Sequence, residues 1–208
     1  MVIETIAIID FETTGLSPDM GDRATEVAVI LLEKGKIIDR YQSLMNAGVR
    51  IPSYIEELTG ISNAMIRKAP PVADVMQALA DFVGDAPLVA HNASFDRKFL
   101  DAEWNKISKQ RRQEFACSML LARRIYQESP NHKLETLVNY LGLPYAGRYH
   151  RAMADAEMTA HLFVKMVADL QQQYSLDSVS HELLRSLQKT PKTKIAACIE
   201  RTKGRLGF

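Results

Sequence analysis

The chain has 208 residues, of which 47% are hydrophobic and 25% are charged, a composition typical of a globular protein with one domain and an extension. Its net charge is only +1, and Cys117 and Cys198 are its two cysteines. A large duplex-binding surface, a disulfide framework and a zinc site are therefore not expected. No stretch has the pattern of a signal peptide or a membrane span, so we expect a cytoplasmic protein without membrane contact.

The hydrophobic pattern predicts strands first and then strands that alternate with helices. Residues 6–9 form an apolar, β-branched run, which predicts a strand buried on both faces. Residues 24–33 and 36–45 predict a hairpin that turns at Lys34 and Gly35. The remaining elements follow in chain order: an irregular segment over 52–71, a helix from 72 to Gly84, a strand over 87–90, a helix with Ser94 as N-cap that continues through 109–112, a strand over 115–118, helices over 120–124 and 133–141, a loop over 145–149 and a long helix over 152–173.

This order of elements predicts an α/β domain with a mixed sheet that is flanked by helices. Beyond residue 174 the pattern weakens, and apolar residues over 179–187 and 195–199 predict two amphipathic helices. The same tail carries seven Lys or Arg against three Asp or Glu. We therefore divide the chain into a domain over 1–174 and a basic, partly helical extension over 175–208.

Two carboxylates stand at the end of the first predicted strand. Asp10 and Glu12 are two residues apart, so both side chains leave the same face, whereas Phe11 points to the other. Two such acids repel each other and cost desolvation energy, so a cation should compensate them. Asp155 lies on or beside the buried stripe of the long helix, where an unpaired carboxylate is costly. We expect it to meet Asp10 and Glu12.

Asp96 and His150 are the two further candidates. An acid in the first turn of a helix is commonly a capping or dipole residue, and a lone histidine before a helix is commonly a surface residue. Four convergent carboxylates without cysteine, however, suit Mg²⁺ or Mn²⁺ better than zinc. Two such ions typically act on phosphates. His150, five residues before Asp155, could then deprotonate an attacking water.

Three segments resemble the exonuclease motifs of one enzyme family. D-F-E-T-T-G-L over 10–16, H-N-A-S-F-D over 91–96 and H-R-A-M-A-D over 150–155 are similar, in order and separation, to those of the DEDDh (DnaQ-like) 3′-to-5′ exonucleases. The resemblance implies a ribonuclease H-like fold with a mixed five-stranded sheet and two Mg²⁺ or Mn²⁺ ions. It implies that Asp10, Glu12 and Asp155 hold the ions, that Asp96 assists and that His150 is the general base.

The resemblance also implies the residues that hold the terminal nucleotide. Residues 13–16, that is Thr13, Thr14, Gly15 and Leu16, match the places that hold this nucleotide and wedge against a base, and Phe95 matches another. One departure concerns Thr59, which stands where many members have a histidine that contacts the nucleotide. The motif context is most similar to that of exonuclease X and epsilon-like members of the family, so the expected substrate is a single-stranded or frayed DNA 3′ end.

Two alternatives stay open at this point. An exoribonuclease or oligonucleotide trimmer would use the same chemistry, because nothing in the motifs reads a 2′-hydroxyl. An accessory module that tethers a polymerase or repair complex through residues 175–208 would belong to another class of protein. The presence of every catalytic residue type favours an enzyme over that module.

Overall fold

The computed structural model describes residues 5–144 and 150–206. In that part of the chain, five strands form one mixed sheet in the order β3-β2-β1-β4-β5, with β1 to β3 antiparallel and with β4 and β5 parallel to β1. The strands are β1 (Ile6–Thr13), β2 (Ala24–Glu33), β3 (Lys36–Leu44), β4 (Leu88–Ala90) and β5 (Phe115–Cys117). The prediction of a mixed five-stranded sheet is confirmed.

Helices flank this sheet on both faces. The predicted turn of the β2–β3 hairpin is confirmed, since Lys34 and Gly35 both have positive φ angles. The helices are α1 (Ser53–Thr59), α2 (Asn63–Lys68), α3 (Val72–Val83), α4 (Ser94–Lys106), α5 (Ser118–Ile125), α6 (Leu134–Tyr140), α7 (Ala152–Tyr174), α8 (His181–Lys189) and α9 (Ile195–Leu206).

Three local predictions are wrong. The segment over 52–71 is not irregular, because it contains α1 and α2, and these helices are too short to show a clear hydrophobic period. Ser94 is the first helical residue and not the N-cap, and its hydroxyl pairs with Asn92. Helix α4 ends at Lys106, because Ser108 adopts a positive φ of 57° and turns the chain back. The predicted loop over 145–149 lies outside the described residues.

The first strand is buried on both faces, as predicted. Ile6 and Ile8 belong to a core that includes α7, whereas Ala7 and Ile9 belong to a core that includes α3 and α4. The strand is therefore held between two layers of helices, and its C-terminal end opens at the edge of the sheet where the acids lie.

Helix α8 packs along the sheet beside β5. Its leucines lie in the same core as Ile8. His181 is buried, and its Nε2 donates a hydrogen bond to the carbonyl oxygen of Leu88 at 3.0 Å. Gln188 bonds to the outer edge of β5, because its Oε1 accepts from the backbone N–H of Cys117 at 2.6 Å. Helix α8 thus covers the edge of the sheet that β5 forms. The division of the chain after residue 174 stays a prediction.

None of the helices formed by the described residues has both the length and the apolar composition that a bilayer crossing requires.

Candidate active site

Four carboxylates from three elements meet at the end of β1. Asp10 and Glu12 are partly buried and leave the same face of the strand. Asp96, in the first turn of α4, is only 2% exposed. Its Oδ1 accepts a hydrogen bond at 3.2 Å from the backbone N–H of Phe11, the residue between the first two acids. This bond ties the start of α4 to β1. Asp155 lies in the first turn of α7.

His150 lies directly beside Asp155. Its backbone N–H donates to Asp155 Oδ2 at 3.2 Å, and its φ angle is 62°, which is uncommon for a residue with a side chain. One potential ligand atom from each of Glu12, His150 and Asp155 lies within 4.8 Å of the others. Together with Asp10 and Asp96, these three residues line a cavity of about 390 Å³. The structure therefore brings together the whole predicted acid cluster and its histidine.

The electrostatics of this cluster favour a bound cation. Burial, followed by repulsion from Asp96, Asp155 and Glu12, raises the pKa of Asp10 well above its ordinary value. Burial and the neighbouring carboxylates raise the pKa of Glu12 to about 8. Burial also raises the pKa of Asp96 to about 7 and that of Asp155 to about 6, although backbone N–H donors oppose both shifts. Because their pKa values are raised, these carboxylates together retain protons near neutral pH unless a bound cation takes the place of those protons.

The donor set fits a hard divalent ion. No ion pair formed by the described residues includes any of these four carboxylates. The residues that line the cavity include these four carboxylates and the imidazole of His150, and they include no cysteine. Such donors suit Mg²⁺ or Mn²⁺, whereas structural zinc sites commonly use thiolates. The acidic residues are therefore positioned for a divalent metal site.

The end of β1 and the turn after it contribute the first group of predicted nucleotide contacts. Thr13, Gly15 and Leu16 line the cavity, and Leu16 is 77% exposed. A Cβ at Gly15 would lie 2.4 Å from Oδ1 of Asp22, so a larger residue there would displace this carboxylate, which accepts from the N–H of Ser17 at 2.9 Å. Thr14 is not among the residues that line the cavity; its hydroxyl accepts from the backbone N–H of Arg23 at 3.0 Å and so holds the turn.

The other two predicted contacts also line the cavity. Phe95 is partly buried, and its ring centroid lies 5.0 Å from that of Phe99. Thr59 is buried, and its hydroxyl donates to the carbonyl of Ile55 at 2.8 Å and accepts from the N–H of Ile61 at 3.1 Å. The Thr59 hydroxyl is therefore engaged in closing α1.

Sequence reasoning missed the apolar wall that α1 supplies. Tyr54 and Leu58, four residues apart on α1, line the cavity and are 63% and 46% exposed. An i, i+4 spacing of exposed apolar residues is a readable signal. It was missed because the segment was predicted to be irregular.

His91, in the second motif, also lines the cavity, but both of its ring nitrogens are hydrogen-bonded within the protein. Its Nε2 donates to the carbonyl oxygen of His132 at 3.0 Å, so its Nδ1 can accept from the Ser118 hydroxyl at 2.9 Å. Burial lowers the pKa of His91 to about 4. A neutral ring with both nitrogens engaged holds the loops behind the cavity and is not a free base.

This topology, with carboxylates from β1, α4 and α7 around one cavity, defines a ribonuclease H-like nuclease fold. A family model described as "Exonuclease" (RNase_T) matches residues 7–163. The chain belongs to this exonuclease family, and its domain is a DnaQ-like 3′-to-5′ exonuclease domain.

Similar proteins of known sequence include DNA polymerases of one type. The "DNA polymerase III PolC-type" of Caldanaerobacter subterraneus subsp. tengcongensis is 32% identical over 202 residues, which is 95% of this chain and 14% of the relative. That of Bacillus subtilis is 38% identical over 168 residues, which is 80% of this chain and 12% of the relative. The chain thus spans well under a fifth of the length of these curated relatives.

Among solved structures, exonuclease X in complex with 5′ overhanging duplex DNA has a TM-score of 0.66 and 27% identity, and the match covers 83% of this chain and 95% of that one. The nuclease domain of 3′hExo, a DEDDh family member bound to rAMP, has a TM-score of 0.69 and 22% identity, covering 86% and 97%. The second similarity supports the fold alone.

Proposed function

We propose that the chain is a metal-dependent 3′-to-5′ exonuclease that releases nucleoside 5′-monophosphates from single-stranded or frayed DNA ends. The observation that carries the proposal is the convergence of Asp10, Glu12, Asp96, Asp155 and His150 on one cavity. A DNA substrate is supported by the similarity to PolC-type DNA polymerases and to a DNA-bound exonuclease X.

In this proposal Asp10, Glu12 and Asp155 hold two Mg²⁺ or Mn²⁺ ions, and Asp96 assists as the fourth carboxylate of the site. Ions bound there would neutralise charge on the scissile phosphate and lower the pKa of the attacking water. The imidazole of His150 takes a proton from that water as general base. The N–H bond from Phe11 keeps the Asp96 carboxylate beside the other acids.

The terminal nucleotide would lie between the turn after β1 and the first turn of α4. Leu16 and Phe95 offer apolar surfaces that stack on any base, which gives end binding with little sequence preference. Thr13, Gly15 and Thr59 shape the cavity beside them, whereas Thr14 supports the turn from behind. Residues 175–208 are proposed to contact longer DNA or a polymerase or repair partner.

The test is cleavage of 5′-labelled oligonucleotides of one sequence, as single-stranded DNA, duplex DNA and RNA, with Mg²⁺, Mn²⁺ or EDTA. We expect DNA to shorten stepwise from its 3′ end in either metal and to stay intact in EDTA. Asp10→Ala should fold normally and not cleave, while Asp85→Asn, which changes an exposed acid, should cleave normally. Cleavage in EDTA or by Asp10→Ala would refute the site. RNA shortened faster than DNA would assign the chain to the exoribonucleases instead.

A further inference from the structure

A buried ion pair joins β2 to the start of α7 beside the acid cluster. Glu26 pairs with Glu12 across the β1–β2 ladder, and its side chain is only 1% exposed. Arg151 immediately follows His150, and its side chain is 34% exposed. The guanidinium binds the carboxylate through two bonds, Nη2 to Oε1 at 2.8 Å and Nε to Oε2 at 3.1 Å.

Two further donors complete the coordination of Glu26. The backbone N–H of Ala152 donates to Oε2 at 3.1 Å, and Nε2 of Gln42 on β3 donates to Oε1 at 2.9 Å. An ionised carboxylate offers about four acceptor sites, so Glu26 has none left for a metal. It therefore differs from Glu12, its neighbour across the ladder, which forms no ion pair among the described residues.

The bonds to Glu26 fix the chain between His150, which precedes α7, and Asp155 in the first turn of α7. Arg151 and Ala152 lie after His150 and before Asp155, and both bind Glu26. The positive φ of His150 and its N–H bond to Asp155 depend on that short stretch. Any shift of Arg151 against β2 would thus move His150 and Asp155 relative to Glu12.

We infer that Glu26 and Arg151 are positioning residues, whose two-point contact holds His150 and Asp155 in register with the carboxylates of β1. The inference rests on the proposed function. It requires the planar fork of arginine, because one bond from a lysine would keep the charge and release the orientation. An alternative role for Arg151 would be charge compensation alone, since it lies close enough to Glu12 to lower the pKa of that group.

Arg151→Lys separates the two roles. The positioning role predicts that kcat on a single-stranded oligonucleotide falls about 10- to 100-fold, as is usual for supporting groups of metal sites. KM should stay unchanged, because no nucleotide contact is lost, and the Mn²⁺ concentration for half-maximal rate should rise. The matched control is Arg111→Lys, which alters a two-point pair with Asp101 of 2.7 and 3.2 Å whose residues do not line the cavity. This control should keep the wild-type kcat.

A second variant covers the case in which Arg151→Lys does not fold. Glu26→Gln removes the negative charge and one of the two acceptor oxygens that bind Arg151, and because the Arg151 side chain is one-third exposed, water can replace the lost bond. It should fold and lose kcat in the same way, and the Glu26→Gln/Arg151→Lys double variant should lose no more than the worse single one. Wild-type kcat in either folded single variant, or additive losses in the double variant, would overturn the inference. A wild-type protein without any cleavage would instead refute the proposed function.

Discussion

Replacing Glu12 with glutamine should stabilise the metal-free protein. The pKa of Glu12 rises from 4.5 to about 8 through burial and the nearby carboxylates. A group whose pKa is raised by folding contributes stability below its unfolded pKa, and this contribution is lost as the pH rises through the folded pKa. For Glu12 the loss should occur between about pH 4.5 and pH 8. The substitution removes the ionisable group and should keep the size of the side chain.

The size of the effect follows from the shift. One pKa unit corresponds to about 1.4 kcal/mol, so the advantage of Glu12→Gln should be about 1 kcal/mol at pH 5.5 and about 3–5 kcal/mol at pH 8.5. For a chain of this length, 1 kcal/mol shifts Tm by about 2–4 °C. We therefore expect Tm to rise by roughly 10 °C at pH 8.5 and by only a few degrees at pH 5.5.

Thermal unfolding by circular dichroism, in EDTA and in saturating Mn²⁺, checks this expectation. The variant should gain less from Mn²⁺ than the wild type, because it lacks one proposed ligand. Asp85→Asn, at an exposed acid, serves as the control and should change Tm little at either pH. A metal-free Glu12→Gln protein that melts at or below the wild-type temperature at pH 8.5 would refute the electrostatic reasoning, as would a difference that does not depend on pH.

Two more predictions concern α7 and the tail. His150→Ala should lower kcat by about 10²- to 10⁴-fold and keep the Tm gain from Mn²⁺, whereas Asp155→Ala should lose both; equal rates for His150→Ala and wild type would contradict the role as base. A chain that ends at Tyr174 should fail to fold, because it lacks the buried α8 leucines, each of which stabilises the fold by about 1.5–3 kcal/mol. A chain that ends at Glu200 should fold, and circular dichroism of both chains checks the two expectations. A folded, active 1–174 fragment would show that α8 is dispensable.

Much of the candidate site could be predicted because its chemistry is written in short local patterns. The two-residue spacing of Asp10 and Glu12 fixes their common face, and an acid beside the buried stripe of α7 requires a partner. Their convergence with Asp96 did not follow from spacing alone. It depends on the Phe11 N–H bond, which brings α4 to β1 across 85 positions of sequence.

The supporting groups could not be predicted in the same way. Glu26 lies in a run, A-T-E-V-A-V, in which an acid between apolar residues normally indicates a solvated face. Only the pairing register places it opposite Glu12, and only the tertiary fold brings Arg151 to it. The short helices α1 and α2 were missed for a related reason, because seven and six residues give too few turns for a period to be distinguished from chance.

The basic tail shows how charge and packing can point in different directions. Its excess of Lys and Arg and its weak pattern are typical of an appendage, yet the apolar face of α8 completes the core, and Gln188 covers the edge of a strand of only three residues. An unprotected edge strand is prone to pair with other chains, so this cover has a structural role independent of any partner. The inward face of the tail is thereby engaged. The contact with DNA or a partner proposed for residues 175–208 must then use the outer face, where Lys192, Lys194 and Arg201 are exposed.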